Sequence, residues 1–108
     1  MINMIVNPAG PPHHRIFEAL ASLPRRRMLS FLSQTALSTA ELAERFGMSA
    51  PAVSRHLAVL LRAGLVSGER QGQRVLYRLN RDALLGALAR LASEVDGPLR
   101  RQPPREAI

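Results

Sequence analysis

The chain of 108 residues contains no cysteine and only three histidines. Without thiols it can have no disulfide, no thiolate metal ligand, no cysteine nucleophile and no thiol redox sensor. The histidines are His13, His14 and His56, and their spacing does not form a set of converging ligands. Because a zinc site needs several such ligands, we expect no metal and no other cofactor.

Aromatic residues are also scarce, at 4% of the chain, whereas hydrophobic residues make up 46%. The core must therefore be built from Leu, Ala, Val and Ile, which suits helices packed on helices in one domain. No segment approaches the roughly 20 apolar residues that span a bilayer. The first residues lack the pattern of a secretory signal. We therefore expect a cytoplasmic protein with no membrane partner.

Groups that could carry out catalysis are few. The eight carboxylates form no paired motif, and there is no phosphate-binding loop. We therefore expect that the protein is not an enzyme.

Lysine is absent, so all fifteen basic residues are arginines, and the net charge is +7. A domain this basic favours an anionic partner, nucleic acid first and a membrane surface second. The alternative is that the arginines only solvate the surface.

Proline and glycine mark the ends of the predicted domain. Residues 1–12 contain three prolines and a glycine and are predicted to be a flexible lead-in. Gly97-Pro98 is predicted to end the last helix. The domain is thus expected to cover residues 13–96, followed by a disordered tail over 97–108.

Apolar spacing and capping residues predict five helices. Ser38 and Glu41 form the capping-box pattern at the start of the third helix, while Ser49 and Asn80 are predicted N-caps of the fourth and fifth. The predicted helices begin near residue 14 and then cover residues 25–33, 39–46, 49–63 and 81–95.

After Gly64 the apolar spacing changes from helical to alternating. Leu65-Val66 begins a short strand, Gln71-Gly72 is a turn signal, and residues 74–79 alternate polar with apolar. This pattern predicts a β-hairpin with a basic arm and tip. We expect it either to contact phosphate or the minor groove of DNA, or only to be solvated. The hairpin residues predicted to contact DNA are Arg70, Gln73 and Arg74.

Residues 39–63 have the length and the glycine position of a helix-turn-helix. In that motif the first helix supports a second one that enters the major groove of DNA, about 12 Å wide. The second helix here is 49–63. The residues predicted to face inward are Val53, Leu57, Leu60 and Leu61. The opposite face carries small or hydrogen-bonding side chains, and the residues predicted to read DNA are Ser49, Ala52, Ser54, Arg55 and His56.

The basic residues on the predicted helices differ in what they indicate. Arg55 is the strongest candidate for base contact, since a guanidinium can bind guanine or phosphate bidentately. His56 either contacts DNA or packs the turn as a surface histidine. The arginines at 25–27 lie at the start of the second helix, where positive charge opposes the helix macrodipole. They indicate either a specific role or a solvated face.

Five segments occur in a characteristic order. They are 17–27 (FEALASLPRRR), 39–43 (TAELA), 53–60 (VSRHLAVL), 63–66 (AGLV) and 71–79 (QGQRVLYRL). Together they resemble the ArsR/SmtB family of bacterial repressors, over about residues 15 to 95. The resemblance implies a mainly α fold with a small β-hairpin, the winged helix-turn-helix. It also implies a homodimer, joined through its first and last helices, that binds double-stranded DNA at a two-fold symmetric operator.

The resemblance has departures that concern metal sensing. Members that sense arsenic or antimony usually place paired cysteines on the helix that is 39–46 here, and this chain has none. Members that sense zinc, cobalt or nickel often place an Asp and several His on the final helix. Asp82 is in a compatible place, but residues 83–95 contain no histidine. The resemblance therefore implies the metal-independent branch, with an unknown inducer.

The first and last predicted helices each carry an apolar stripe. A chain this small cannot easily bury both stripes internally while its central helices pack on each other. An isologous dimer interface would cover them, and the alternative is an ordinary core within one chain. The predicted interface residues are Ile16, Phe17, Leu20, Leu84, Leu88, Leu91 and Val95.

These observations predict a sequence-specific DNA-binding transcriptional regulator, a repressor that occupies a two-fold symmetric operator as a homodimer. The alternative is a winged-helix protein-interaction module, or a regulator whose activity is set by a protein or small-molecule partner. The basic hairpin and the small polar face of the fourth helix favour DNA. A membrane-surface protein would need a basic amphipathic helix with large apolar anchors, whereas the arginines here are distributed over several elements.

Overall fold

The computed structural model describes residues 12–101, and these form five helices and a two-stranded antiparallel hairpin. The order of elements and the mainly α architecture are those predicted from the sequence. In chain order the elements are α1 (Pro12–Leu20), α2 (Leu23–Leu32), α3 (Thr39–Phe46), α4 (Ala50–Arg62), β1 (Val66–Gln71), β2 (Arg74–Leu79) and α5 (Arg81–Arg101).

The core is aliphatic, as the scarcity of aromatic residues predicts. Its largest fully buried side chains come from α2, α3, α4 and the segment before β1, and they are Met28, Leu42, Val53, Leu57, Leu60 and Leu65. The prediction that Leu61 faces inward is wrong, because 39% of this residue is exposed. Leu61 follows Leu60 by one residue and is therefore turned about 100° away around the helix.

The start and end of α3 are fixed by local hydrogen bonds. The Ser38 hydroxyl accepts from the Glu41 backbone N–H at 3.1 Å, and the Ser38 N–H donates to the Glu41 carboxylate at 2.8 Å. This is the predicted capping box. At the other end Gly47 adopts a left-handed conformation with φ of 63°. The chain can then turn sharply into α4, and the Met48 N–H donates to the Ala43 carbonyl at 3.2 Å.

The next two predicted caps are also present. The Ser49 hydroxyl accepts from the Ala52 N–H at 3.2 Å, and the Asn80 side-chain oxygen accepts from the Ala83 N–H at 3.4 Å. The Asn80 amide group has a second role, since it donates to the Gly64 carbonyl at 3.0 Å. It thereby connects the end of α4 to the start of α5.

The hairpin turns one residue later than predicted. Gln71 pairs with Arg74, so the turn residues are Gly72 and Gln73, and Gly72 takes a positive φ of 65°. The hairpin is also attached to the α2–α3 connection by an isolated bridge. There the Leu37 N–H donates to the Tyr77 carbonyl at 3.1 Å, and the Tyr77 N–H donates to the Leu37 carbonyl at 2.8 Å.

Two predicted boundaries near the N-terminus are wrong by a few residues. Helix α1 begins at Pro12, inside the predicted lead-in 1–12, because proline suits the first helical turn, where its missing N–H is not needed. Helix α2 begins at Leu23 because Ser22 is its N-cap and accepts from the Arg25 N–H. Residues 1–11 lie outside the described residues.

The predicted end of the last helix is also wrong. Helix α5 continues through Gly97-Pro98 to Arg101, whereas the sequence predicts that it ends at this dipeptide. A proline removes its own N–H donor and crowds the carbonyl four residues earlier, but the residues that follow it can still be helical. The rest of the predicted tail, 102–108, lies outside the described residues.

Replacing Ser38 with alanine removes both the cap of α3 and a buried hydroxyl. We expect the free energy of unfolding to fall by about 1 kcal/mol, within a range of about 0.5–2 kcal/mol. Urea denaturation followed by circular dichroism measures this change. Ser67→Ala, at an exposed position of β1, is the control and should change the stability by less than about 0.5 kcal/mol. Equal losses in the two variants would contradict a capping role.

Candidate nucleic-acid interface

Helix α4 has one fully buried face and one exposed face. Leu42 of α3 and both Val53 and Leu57 of α4 are at most 1% exposed. On the opposite side Ser54 and Arg55 are exposed. The sharp turn between α3 and α4 therefore directs small and hydrogen-bonding side chains of the first turns of α4 to solvent.

The remaining predicted residues of α4 occupy different environments. Ser49 is exposed, but its hydroxyl oxygen already accepts the capping hydrogen bond from Ala52. Only the hydroxyl hydrogen and a second lone pair are left for a ligand. Ala52 and His56 are half-buried. The five predicted residues thus share the N-terminal half of one helix, with Ser54 and Arg55 the most accessible.

The predicted hairpin residues Arg70, Gln73 and Arg74 are all exposed. Arg74 lies 3.7 Å from the carboxylate of Glu41, and each side chain is more than a third exposed. Exposed pairs of this kind are screened by water and contribute little to stability. Arg74 can therefore exchange its carboxylate partner for a phosphate at little cost.

Glu41 is held in its charged form. The backbone N–H of Ser38 lowers the pKa of this carboxyl group, and the Ser38 hydroxyl and the charges of Arg74 and Arg45 lower it further. An anion at this position also favours the N-terminal end of the α3 dipole. Glu41 thus remains an anchor for α3 whether or not Arg74 is paired with it.

Two of the three arginines at the start of α2, Arg25 and Arg26, have a specific role, which is one of the two interpretations that the sequence leaves open. The Arg25 guanidinium donates to the carbonyls of Ala19, at 2.8 Å through Nε, and Glu18, at 3.3 Å through Nη2. Arg26 donates to the Leu20 carbonyl. These carbonyls belong to the last turn of α1, whose negative dipole end favours cations. The sequence indicates this role through the position of these arginines, because a positive charge at the start of a helix is unfavourable for the dipole of that helix.

Arg25 also reaches helix α4. Its Nη1 lies 3.4 Å from Nδ1 of His56. Burial lowers the pKa of His56, and the charges of Arg25 and Arg55 lower it further. The ring is therefore neutral at pH 7. Because a guanidinium is only a donor, Nδ1 must be the acceptor in this contact, and the ring proton is assigned to Nε2.

The predicted dimer residues divide into three groups. Ile16 is only 5% exposed and belongs to the core of the single chain. Little of its surface is left for a second copy, and its place in the interface stays a prediction. Phe17, Leu20 and Leu84 are half-buried against this core. The exposed members all belong to α5, where Leu85 is exposed with them, and they are Leu88, Leu91 and Val95.

The part of the chain that the structure describes contains neither a cluster of metal ligands nor a membrane-spanning helix. Within residues 12–101 there is no cluster of three or more His, Asp or Glu side chains placed to hold a metal ion. The same residues include no helix with the length and apolarity that a bilayer crossing requires.

The order helix, tight turn, helix and basic hairpin defines a winged helix-turn-helix protein. The model of the family described as "Bacterial regulatory protein, arsR family" matches residues 24–67. The transcriptional repressor SdpR of Bacillus subtilis is 34% identical over 71 residues, which are 66% of this chain and 79% of SdpR. The chain therefore belongs to the arsR family of bacterial regulatory proteins. Other relatives are longer, and the chain spans about half of their length.

Solved structures agree with this assignment. The ArsR-family transcriptional regulator RHA00566 has a TM-score of 0.77 at 25% identity and covers 93% of this chain and 100% of its own. The homodimeric winged helix-turn-helix DNA-binding domain of Mb0332 from Mycobacterium bovis has a TM-score of 0.66 at 30% identity, covering 77% of this chain and 79% of its own. The five helices and the hairpin are thus the fold of this family.

The environment of His56 predicts a pH dependence of stability. Its pKa is below the ordinary value of 6.5 in the folded chain, so the unfolded chain binds more protons as the pH falls through 6.5. The free energy of unfolding should therefore be constant above about pH 7.5 and decrease towards pH 5.5. Urea denaturation at these two pH values should show a smaller decrease for His56→Gln than for the wild type. His13→Gln, in α1, is the control, and equal decreases in wild type and His56→Gln would contradict the assignment.

Proposed function

We propose that this protein is a cytoplasmic transcriptional repressor that binds, as a homodimer, a DNA operator with two-fold symmetry. The observation that carries the proposal is that Ser54 and Arg55 of α4 are exposed, as are three polar or basic side chains of the hairpin. A major groove admits a helix of this kind, and its base edges present hydrogen-bond partners to such side chains. Repression follows from occupancy of the operator and agrees with the name of SdpR as a repressor.

The two parts of the surface have different tasks in this proposal. Arg55 of α4 reads base edges, with guanine as the best partner for a guanidinium. Arg70, Gln73 and Arg74 of the hairpin bind the phosphate backbone or the minor groove. Phosphate contacts hold the protein in register and do not distinguish sequences, whereas base contacts do.

The homodimer is proposed from the exposed apolar face of α5. Leu85, Leu88, Leu91 and Val95 are each 41–55% exposed in the single chain. A second copy that packs the same face against this one would remove them from water and would place two α4 helices on one DNA duplex. The similar Mb0332 domain is homodimeric, which supports the same assembly here.

In the proposed function the protein senses no metal ion and catalyses no reaction. The family description and the name of SdpR are those of regulators. We expect zinc, nickel and arsenite to leave DNA affinity unchanged, and the inducer to be something other than these ions. The second candidate is a protein-interaction module, in which the hairpin and the exposed face of α4 would bind a protein. The basic character of the hairpin and the small polar side chains of α4 do not favour that function.

The first test separates base reading from phosphate binding. The operator for this test is selected from random DNA by the wild type. Arg55→Ala should weaken the free energy of binding to this operator by roughly 1–3 kcal/mol and reduce the ratio of affinities for operator and random DNA. Arg74→Ala should weaken both DNAs by similar factors and reduce the slope of log affinity against log salt by about one per subunit. Fluorescence anisotropy at several salt concentrations measures both quantities.

Arg90→Ala, which removes an exposed arginine of α5, is the control for loss of charge alone. Equal weakening of operator and random DNA by Arg55→Ala would show that Arg55 binds the backbone. Unchanged DNA binding in both Arg55→Ala and Arg74→Ala would favour the protein-interaction module.

The second test addresses the homodimer. Replacing Leu88 and Leu91 with glutamate places two charges on the exposed face of α5, where burial against a second copy would become unfavourable. We expect the wild type to be a dimer by light scattering at micromolar concentration and the double variant to be a monomer that binds the operator weakly. Leu23→Glu, which changes an exposed leucine of α2, should remain dimeric. A monomeric wild type would contradict the proposal.

A further inference from the structure

We propose that Arg25 of α2 is a positioning residue for DNA recognition, which holds His56 of α4 as the tautomer that donates a hydrogen bond from Nε2. This inference rests on the proposed function, since it names how one residue of the recognition helix is prepared for DNA. The partner of His56 would be a hydrogen-bond acceptor on a base edge, such as guanine N7 or O6.

The Arg25 guanidinium is fixed by α1 independently of His56. Two of its donors are used by the Ala19 carbonyl, at 2.8 Å from Nε, and the Glu18 carbonyl, at 3.3 Å from Nη2. The guanidinium is planar and rigid, so these bonds determine where Nη1 lies. Nη1 is then 3.4 Å from the His56 ring.

This contact determines which nitrogen of the His56 ring carries the proton. Arg25 has no acceptor group, so its contact with Nδ1 is made only when that nitrogen is unprotonated. A neutral ring then carries its proton on Nε2. The two ring nitrogens point in different directions, so a donor is presented away from Arg25. A histidine without this partner exchanges between both tautomers and offers DNA either a donor or an acceptor.

Burial and the neighbouring charges keep the ring neutral. Partial burial lowers the pKa of His56, and the charges of Arg25 from α2 and Arg55 from α4 lower it further. The donor is therefore a neutral N–H with a defined direction. A neutral donor of fixed direction discriminates among acceptor positions on base edges, whereas a freely oriented cation is attracted to any phosphate.

A matched control lies next to Arg25 in the sequence. Arg26 also donates to the last turn of α1, at the Leu20 carbonyl, but of these two arginines it is Arg25 that contacts His56. Arg25→Lys and Arg26→Lys both keep the charge and both remove a guanidinium from the end of α1. Only Arg25→Lys removes the rigid fork that contacts His56.

The first experiment measures the tautomer directly. Long-range proton–nitrogen NMR of the full chain at pH 7.5 should show His56 Nδ1 as unprotonated and Nε2 as protonated in the wild type and in Arg26→Lys. In Arg25→Lys both nitrogen shifts should move towards the average of two exchanging tautomers. A wild-type ring protonated at Nδ1, or a spectrum that Arg25→Lys does not change, would overturn the proposal.

The second experiment measures DNA recognition with the operator selected by the wild type. Arg25→Lys should lower the preference for operator over random DNA by about 2- to 10-fold for each hydrogen bond lost, and Arg26→Lys should not. With His56→Asn as the background, which lacks a donor at the Nε2 position, Arg25→Lys should have no further effect on this preference. Independent, additive effects of the two changes would overturn the proposal.

If Arg25→Lys does not fold, two substitutions of His56 test whether a donor at the Nε2 position is needed. The amide nitrogen of Gln reaches about where Nε2 lies, and the amide oxygen of Asn about where Nδ1 lies. His56→Gln should thus keep more operator preference than His56→Asn, and an equal loss would overturn the proposal. A wild-type chain with no preference for any DNA would instead overturn the proposed function, and with it the role of Arg25 in recognition. Preference retained by Arg25→Lys would overturn only that role.

Discussion

The interaction on which the rest of the structure depends is the burial of the inner face of α4. Val53, Leu57 and Leu60 are at most 1% exposed, and each buried side chain of this size contributes about 1.5–3 kcal/mol. This burial fixes the rotation of the helix about its axis. The same rotation determines that Ser54 and Arg55 are exposed, so the hydrophobic core and the proposed DNA-reading face are two results of one packing arrangement.

Polar contacts then set the position of α4 relative to its neighbours. The capping box of Ser38 and the left-handed Gly47 define the angle at which α3 leads into α4. Arg25 joins the end of α1, the start of α2 and the side of α4 through one guanidinium. The surface proposed to meet DNA therefore depends on residues that are remote from it in the sequence.

The sequence predicted the parts of this molecule that depend on local chemistry. Ser38, Ser49 and Asn80 were identified as caps because a cap needs only a side chain and a nearby N–H. The order of helices and hairpin followed from apolar spacing. The Arg25–His56 contact and the Leu37–Tyr77 bridge were missed, because each joins residues more than 30 positions apart, and no local pattern encodes that distance. The burial of Ile16 in the single chain is not predicted for the same reason, since it depends on how α1 packs on distant helices.

The Leu37–Tyr77 bridge has a consequence for how the protein avoids aggregation. A two-stranded hairpin has two open edges, and an open edge can pair with a strand of another copy. The bridge occupies part of the β2 edge. The β1 edge carries Gly68, Glu69 and Arg70, and charge and glycine both disfavour strand addition. Self-association through the edges of the hairpin is thereby made unfavourable by the fold itself, and the hairpin side chains stay exposed to solvent.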